Sequence, residues 1–272
     1  MTEPSDARET ALTDRERLAG SAYRSGRDLA ARQALHRLRT PRYDLPGLAA
    51  ERLAGVRGSL VDVGCGNGTF VRRIRAERPD LTVLGLDLSP GILADVPGPV
   101  AVADAGRLPL ASESAGAALA MHMLYHVPDI PGAVAELARV VRRDGPVLVS
   151  TNGERDKAEL DELWQRAAAD VLGTGRGPDR LVFSDRFTLE RAPALLRAEF
   201  RQVETLALPG VVTVHDPAPI VAYLTSYRAW ADQYESPFEA TVERARTIVA
   251  DHIARIGSFR VTCRAGLLVC RR

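Results

Sequence analysis

Lysine is nearly missing from this chain. Lys157 is the single one in 272 residues, so arginine supplies almost all of the 36 basic side chains. With the abundant alanine, this has the look of a GC-rich bacterial coding bias and assigns no chemistry. Acidic residues number 35, which leaves a formal net charge of +1. Chains that neutralise nucleic-acid phosphates usually carry a clustered basic excess, so this balance argues against a nucleic-acid partner. Cysteine is scarce as well: Cys65, Cys263 and Cys270, with no Cys-x-x-Cys spacing. Three such residues fit a reducing compartment better than a disulfide framework, and their spacing argues against a zinc site. No run approaches the roughly 18 apolar residues of a membrane span. The first twenty residues, MTEPSDARETALTDRERLAG, are charged and lack the apolar centre of a secretory signal. A cytoplasmic protein without membrane contact is the expectation. No internal repeat or low-complexity tract is visible.

What is present is ordinary globular composition, 46% apolar and 26% charged, which is enough material for a core. The length suits one α/β domain carrying an insertion. Residues 1–15 read as frayed. A helical pattern covers about 16–40, and a shorter helix follows Pro41. Short apolar runs then appear at SLVDVG, LTVLGLDLS, PVAVADA, AGAALAMHML and GPVLVST, separated by helical stretches. In PGAVAELARVVR the apolar Val134, Leu137, Ala138 and Val141 fall on one helical face. Alternation of short strands with helices predicts a largely parallel sheet covered on both faces. After Thr151 the alternation breaks. Residues 152–199 read as mostly helical, with GTGRGPDR as a loop, followed by a strand-like run to about 214, two further helical stretches and a final strand over FRVTCRAGLLVCRR.

The densest signal is Leu60 to Phe70, LVDVGCGNGTF. A buried strand carrying Asp62 runs into Gly64, Gly66 and Gly68, and an amphipathic helix follows. Such a turn excludes side chains, so backbone N–H groups at a helix start can approach a ligand closely. Asp87, in GLDLS, lies 19 residues beyond Gly68. A carboxylate at the end of the second strand can accept both hydroxyls of a ribose, in dinucleotide enzymes and in other nucleoside-binding folds alike. The residues therefore point to a nucleoside cofactor without choosing which.

VDVGCGNGTF, GLDLS, VADAGRLPL and AMHMLYHVPD, in this order and spacing, resemble the class I S-adenosylmethionine-dependent methyltransferases, in the branch of small-molecule enzymes with a methyltransferase-11-like domain. The resemblance is strong over about residues 58–151, weaker over the N-terminal helices and nearly absent beyond 152. It implies a Rossmann-like, doubly wound, seven-stranded sheet, mostly parallel with an antiparallel last strand. N-terminal helices and a helical lid insertion would complete it. The implied division is 1–57 as N-terminal cover, 58–151 as cofactor-binding core, 152–258 as acceptor-side lid with a late strand, and 259–272 as the last strand. The implied cofactor is S-adenosyl-L-methionine, with S-adenosyl-L-homocysteine as product. Asp62 would organise the turn and face the methionine amino group, and the backbone of Gly64, Cys65 and Gly66 would line the methionine part. Asp87 would hold the ribose and Leu88 pack on adenine. Asp104 would accept from the adenine amine while the Ala105 N–H faces the base. Met121 would sit beside the sulfonium. Asp104 is also a common turn residue, and Cys65 reads as a small packing residue more than as a reactive thiol.

Tyr23 and Arg32 resemble the segment that covers the cofactor in this branch. Arg32 could hold the methionine carboxylate through its planar fork, or be a solvated arginine on an exposed face. Tyr23 would be an aromatic lid. Methyl transfer from a sulfonium relies on positioning, and a base is needed only where the acceptor loses a proton. Among the five histidines, His122 at the fourth strand's end is the candidate base or acceptor contact, with an ordinary near-neutral pKa expected. His126 reads as a structural residue of the following turn. No metal site is expected. The Asn/Asp-Pro-Pro-Tyr signature of base- and glutamine-directed enzymes is missing. Aromatic residues from Trp164 to Phe238 suit a flat or apolar small molecule. The leading function is transfer of a methyl group to an O or N atom of a small molecule, in a setting such as secondary metabolism. The alternatives are an RNA methyltransferase of the same fold and an S-adenosylmethionine-binding protein without methyl transfer.

Overall fold

The structure, a computed structural model, describes residues 10–272. Its centre is one eight-stranded sheet. The strands are β1 (Arg39–Thr40), β2 (Ser59–Val63), β3 (Thr82–Asp87), β4 (Val100–Val102), β5 (Ala117–Met121), β6 (Val147–Asn152), β7 (Gln202–Val214) and β8 (Phe259–Arg271). Their spatial order is β1-β7-β8-β6-β5-β2-β3-β4. Neighbours from β6 through β4 are parallel, whereas β8 is antiparallel to both β6 and β7, and β1 is antiparallel to β7. The strand beyond the expected seven is the two-residue β1, pairing Arg39 with Val212 and Thr40 with Val211. A pair of residues is too short to leave a period in the sequence.

The helices that matter for the site are α1 (Arg27–His36), α2 (Leu45–Arg52), α3 (Thr69–Glu77), α4 (Ile130–Val140), α5 (Ala158–Leu172), α6 (Ala218–Thr225) and α7 (Phe238–Ile256). Local chemistry sets their ends. Asp129 caps α4 by accepting the Gly132 N–H at 3.0 Å, with Pro131 in the first turn. Asp44 caps α2 in the same way at 3.2 Å. Unpaired N–H groups at a helix start make both carboxylates stabilising. On α4, Val134, Leu137 and Ala138 are buried as the sequence spacing predicts, while Val141, expected on the same face, is buried but extended, just past the helix end. On α3, Val71 and Ile74 are buried against the sheet. Every residue of β5 is buried, as expected for a central strand covered on both faces.

Two stretches differ from the sequence reading. The helix expected over 16–40 is broken. A π-helical turn (Leu18–Ala22) precedes α1, and Tyr23 to Gly26 lie outside both helices. The break is held by tertiary contacts: Ser89 Oγ donates to the Tyr23 carbonyl at 2.9 Å, and Gly91 lies so close to the Arg24 carbonyl that a Cβ would sit 2.3 Å from it. The region 181–191, read as mostly helical, is mainly loop with one short 3-10 turn (Phe183–Arg186), while the GTGRGPDR loop, 173–180, lies where the sequence places it. Of the residues expected to fray, 1–9 lie outside the described residues, while 10–13 are helical and bury Ala11 and Leu12. Among the described residues no helix is long and apolar enough to cross a membrane.

Leu119, at the centre of β5, is fully buried. Leu119→Ala should cost about 2–5 kcal/mol, the usual range for truncating a fully packed core leucine. Urea unfolding checks this through a lower midpoint at unchanged slope.

Candidate active site

The sheet brings the carboxyl ends of β2, β3 and β5 together, with β2 between β5 and β3. Chain order reverses there, and a crevice opens beyond the strand ends where such folds take ligands. The cavity has a volume of about 910 Å³, within the common range for small-molecule sites.

The glycine turn forms one wall. Gly64 and Gly66 have φ of +68° and +55°, the left-handed region that side chains disfavour. Space is short as well: a Cβ on Gly64 would lie 2.8 Å from Met123, and one on Gly66 2.9 Å from Leu29. Between them Cys65 is buried, its N–H donating to the Leu86 carbonyl at 2.9 Å. Burial pushes its thiol far above the ordinary range, so it packs and does not react as a thiolate.

Asp87 ties the turn to the next strand. One carboxylate oxygen accepts the Gly66 N–H at 2.9 Å and the other the Ser89 N–H at 3.0 Å. Asp62, on β2, is 1% exposed, and neither of its carboxylate oxygens has a partner. Burial, with the nearby Asp87 charge adding to it, pushes the Asp62 carboxyl up to about 8. Leu88, Ala105 and Met121 line the same cavity. Asp104 also borders it, with one oxygen accepting the Gly106 N–H at 2.8 Å and the other paired with Arg15. Asp104 thus holds its own turn while facing the cavity.

Arg32 is buried, so the solvated-face reading does not hold. Its guanidinium carbon lies 5.2 Å from the Tyr23 ring centre, 5.6 Å from that of Tyr227 and 5.9 Å from that of Phe183. One nitrogen donates to the Ser226 carbonyl at 2.9 Å, and another has no partner. Tyr23 donates its hydroxyl to His126 Nε2 at 2.8 Å, and His126 Nδ1 lies 3.2 Å from the Leu12 carbonyl. A carbonyl can only accept, which assigns the ring proton to Nδ1. Burial holds this imidazole down at about 3, so His126 is neutral and fastens the N-terminal segment to the turn after β5.

His122 stands at the end of β5 with φ of +52°, its N–H donating to the Ser150 carbonyl at 3.0 Å. The near-neutral pKa expected for it is not found. Burial, then Lys157, then Arg39 hold it at about 4. His36 is pushed well below its ordinary range by burial, Lys157, His122 and Arg39. Sequence reasoning passed over Arg39 and Lys157 as site residues, although both line the cavity. Lys157 is 1% exposed and paired with Asp156. Its solitary status in the composition was the one signal that could have singled it out. Arg180, also cavity-lining, is paired with Asp161 at 2.7 Å. Among the described residues no group of three His, Cys, Asp or Glu could hold a metal ion.

Comparison with known proteins agrees with this geometry. The methyltransferase-domain family matches residues 61–149. The malonyl-[acyl-carrier protein] O-methyltransferase of Serratia marcescens is 35% identical over 127 residues, 43% of this chain and 49% of that protein. The ubiquinone biosynthesis O-methyltransferase of Klebsiella pneumoniae is 34% identical over 140 residues, 46% of this chain and 54% of that protein. The chain spans about half the length of the curated relatives it matches. Among solved structures, the YcgJ protein of Bacillus subtilis superposes with a TM-score of 0.53 at 16% identity, covering 84% of this chain and 97% of that one. An Anabaena variabilis protein described as a methyltransferase from an antibiotic biosynthesis pathway reaches 0.58 at 14% identity, covering 83% and 97%. These likenesses establish the fold.

Asp62 gives a pH test. In the folded protein its carboxyl stays protonated up to about pH 8, whereas an unfolded Asp ionises near 3.9. Between those values the folded chain binds a proton that the unfolded chain has lost, so stability falls as pH rises through this window. Asp62→Asn should remove that slope and make the ligand-free protein more stable than wild type above pH 8. Urea unfolding at about pH 5 and about pH 9 measures it, since each tenfold change in proton affinity is worth about 1.4 kcal/mol. Equal stability of the two proteins at the higher pH would mean that Asp62 ionises freely.

Proposed function

We propose that the chain, whose residues 61–149 match the methyltransferase-domain family, is a class I S-adenosylmethionine-dependent enzyme that moves the methyl group to an oxygen or nitrogen atom of a small molecule. Oxygen is favoured, because the Serratia marcescens and Klebsiella pneumoniae relatives are named as O-methyltransferases.

The observation that carries the reading is Asp62: a fully buried carboxyl with two unpartnered oxygens, beside a turn no side chain can enter. Such a group is costly unless a ligand's polar or cationic atom meets it. The donor set fits S-adenosyl-L-methionine along its length. Asp62 faces the amino group of the methionine part, and the backbone of Gly64, Cys65 and Gly66 lies along that part. Arg32, with a free nitrogen in a cage of rings, takes the carboxylate, and Tyr23 covers it. Asp87 uses its remaining lone pairs for the ribose hydroxyls. Leu88 packs on adenine, which Asp104 and the Ala105 N–H recognise. The bound cofactor supplies an electrophilic methyl group on a sulfonium. Met121 and His122 border the space between that group and the acceptor, which the aromatic residues of 152–258 cover.

His122 is an acceptor contact in this reading. An imidazole held at about 4 is a weak base, and taking a proton beside Lys157 and Arg39 is opposed by both charges.

Asp87→Ala should lower S-adenosylhomocysteine affinity roughly tenfold or more, since hydrogen bonds to charged groups are worth about 1.5–3 kcal/mol each. Calorimetry measures it, and unchanged affinity would overturn the ribose assignment. Thermal stabilisation by NAD without stabilisation by S-adenosylhomocysteine would overturn the cofactor. His122→Ala should reduce turnover by less than the 10²–10⁴-fold typical of a lost general base, ~10-fold at most. S-adenosylhomocysteine release with a small-molecule extract as acceptor source measures this. A wild-type rate that inflects near neutral pH, with the inflection lost in the variant, would restore the base.

A further inference from the structure

The cavity has an acidic pole and a basic pole. Asp62, Asp87 and Asp104 lie at the cofactor turn and the strand ends beside it. Arg39 and Lys157 lie toward β7 and β8, where nothing proposed for the cofactor needs them.

Arg39 is a built feature. It sits on β1, opposite Val212, and is 7% exposed. Room for its stem comes from Gly210 on β7, where a Cβ would lie 2.6 Å from the arginine's Cγ. The Tyr43 ring lies 4.8 Å from its guanidinium carbon. Among the described residues no carboxylate pairs with it. Its Nε has no partner, and one terminal nitrogen reaches the Leu208 carbonyl only at 3.4 Å. A buried guanidinium stays charged, so it is costly without an anion.

Lys157 is the second cation of this pole. It hangs from β8 through its N–H, which donates to the Thr262 carbonyl at 2.8 Å, and its ammonium is paired with Asp156. The other Asp156 oxygen accepts the Arg264 N–H at 2.6 Å. Asp156 therefore balances Lys157, and Arg39 is left as uncompensated positive charge. The remaining titratable groups on this wall add no anion: His36 and His122 are held neutral by burial first, with the same two cations adding to it, and the Cys263 thiol is kept protonated by burial. Arg39, Lys157, His36 and His122 all line this one cavity, His122 at the end of β5.

We propose that the methyl acceptor is a carboxylic acid bound as its anion at this pole, with the carboxylate held by Arg39 and Lys157. The proposal rests on the methyltransferase reading and specifies its substrate class. It also accounts for the weak base at His122. A carboxylate arrives with the electron pair the transfer uses, so no proton has to leave. Its oxygen bonds to the methyl carbon as the carbon–sulfur bond breaks and that pair stays on sulfur, giving a neutral methyl ester and a neutral thioether. Arg39 suits this role because its planar fork can grip one face of a carboxylate in two places.

Calorimetry on the full chain saturated with S-adenosylhomocysteine decides it, with 2-naphthoate and its uncharged amide, 2-naphthamide, as probes. The wild type should bind the acid anion at least about tenfold tighter than the amide, the scale of a discriminating buried polar contact. Arg39→Gln should erase that preference while leaving S-adenosylhomocysteine affinity unchanged. Equal binding of the two probes, no binding of naphthoate up to its solubility limit, or a preference that survives Arg39→Gln would each overturn the proposal. Displacement of naphthoate by inorganic sulfate at comparable concentration would also overturn it, in favour of an unselective anion site. If Arg39→Gln does not fold, the wild-type comparison of acid with amide still decides. Failure of S-adenosylhomocysteine to bind would instead overturn the methyltransferase reading itself.

Discussion

Asp87 is the tie on which the site depends. Its two carboxylate oxygens accept backbone N–H groups from the glycine turn and from the loop after β3. These are charge-assisted bonds, about twice as strong as neutral ones. They fix two strand ends relative to each other where no side chain can fill the gap, because Gly64 and Gly66 hold left-handed conformations against Met123 and Leu29. The turn thus stays open to a ligand and yet rigid. Burial raises the Asp87 carboxyl despite those bonds, and its charge in turn raises Asp62 further. Two carboxyls this close in a low-dielectric wall cannot both ionise without cost.

The N-terminal segment closes the same site from the other side through polar staples. Tyr23 and His126 share a hydrogen bond, His126 reaches the Leu12 carbonyl, and Trp230 Nε1 donates to the Ala11 carbonyl at 3.2 Å. Arg17 pairs with Asp232. Each staple joins residues far apart in the chain, so the N-terminal cover, the turn after β5 and the helical segment after β7 hold together as one lid. Around Arg32 this lid becomes a cage of Tyr23, Phe183 and Tyr227, in which a cation is held by ring faces without a carboxylate.

The separation of charge across the cavity follows from topology. Acids come from the ends of β2 and β3, and from the loop after β4. Arg39 comes from β1, and Lys157, with Asp156 beside it, from the segment between β6 and α5. The antiparallel β7 and β8 bring β1 alongside, and with it Arg39. In the proposed reaction, the electrophilic cofactor and an anionic acceptor would meet between these two poles without either crossing a field of its own sign.

The sequence alone determined the local part of this design. Gly64, Gly66 and Gly68 after a buried strand, Asp87 at a fixed distance, and the apolar face of α4 are written in residue type and spacing, because turn sterics and helical period act over a few residues. The largely parallel sheet covered on both faces followed from the alternation of short strands with helices, and its doubly wound order from the family resemblance. The break at Tyr23 to Gly26, the two-residue β1 and the irregular stretch over 181–191 were not legible, since each is held by partners far along the chain. The charge states were hidden for the same reason. His122 and His126 are ordinary histidines in sequence, and only burial under distant elements, with Lys157 and Arg39 beside His122, makes them neutral. Arg39 reads as one arginine among many until Gly210, on a strand far from it in sequence, leaves the space in which it is buried. Pattern reports which face a residue takes; desolvation and long-range charge, which set what it can do, exist only once the chain has folded.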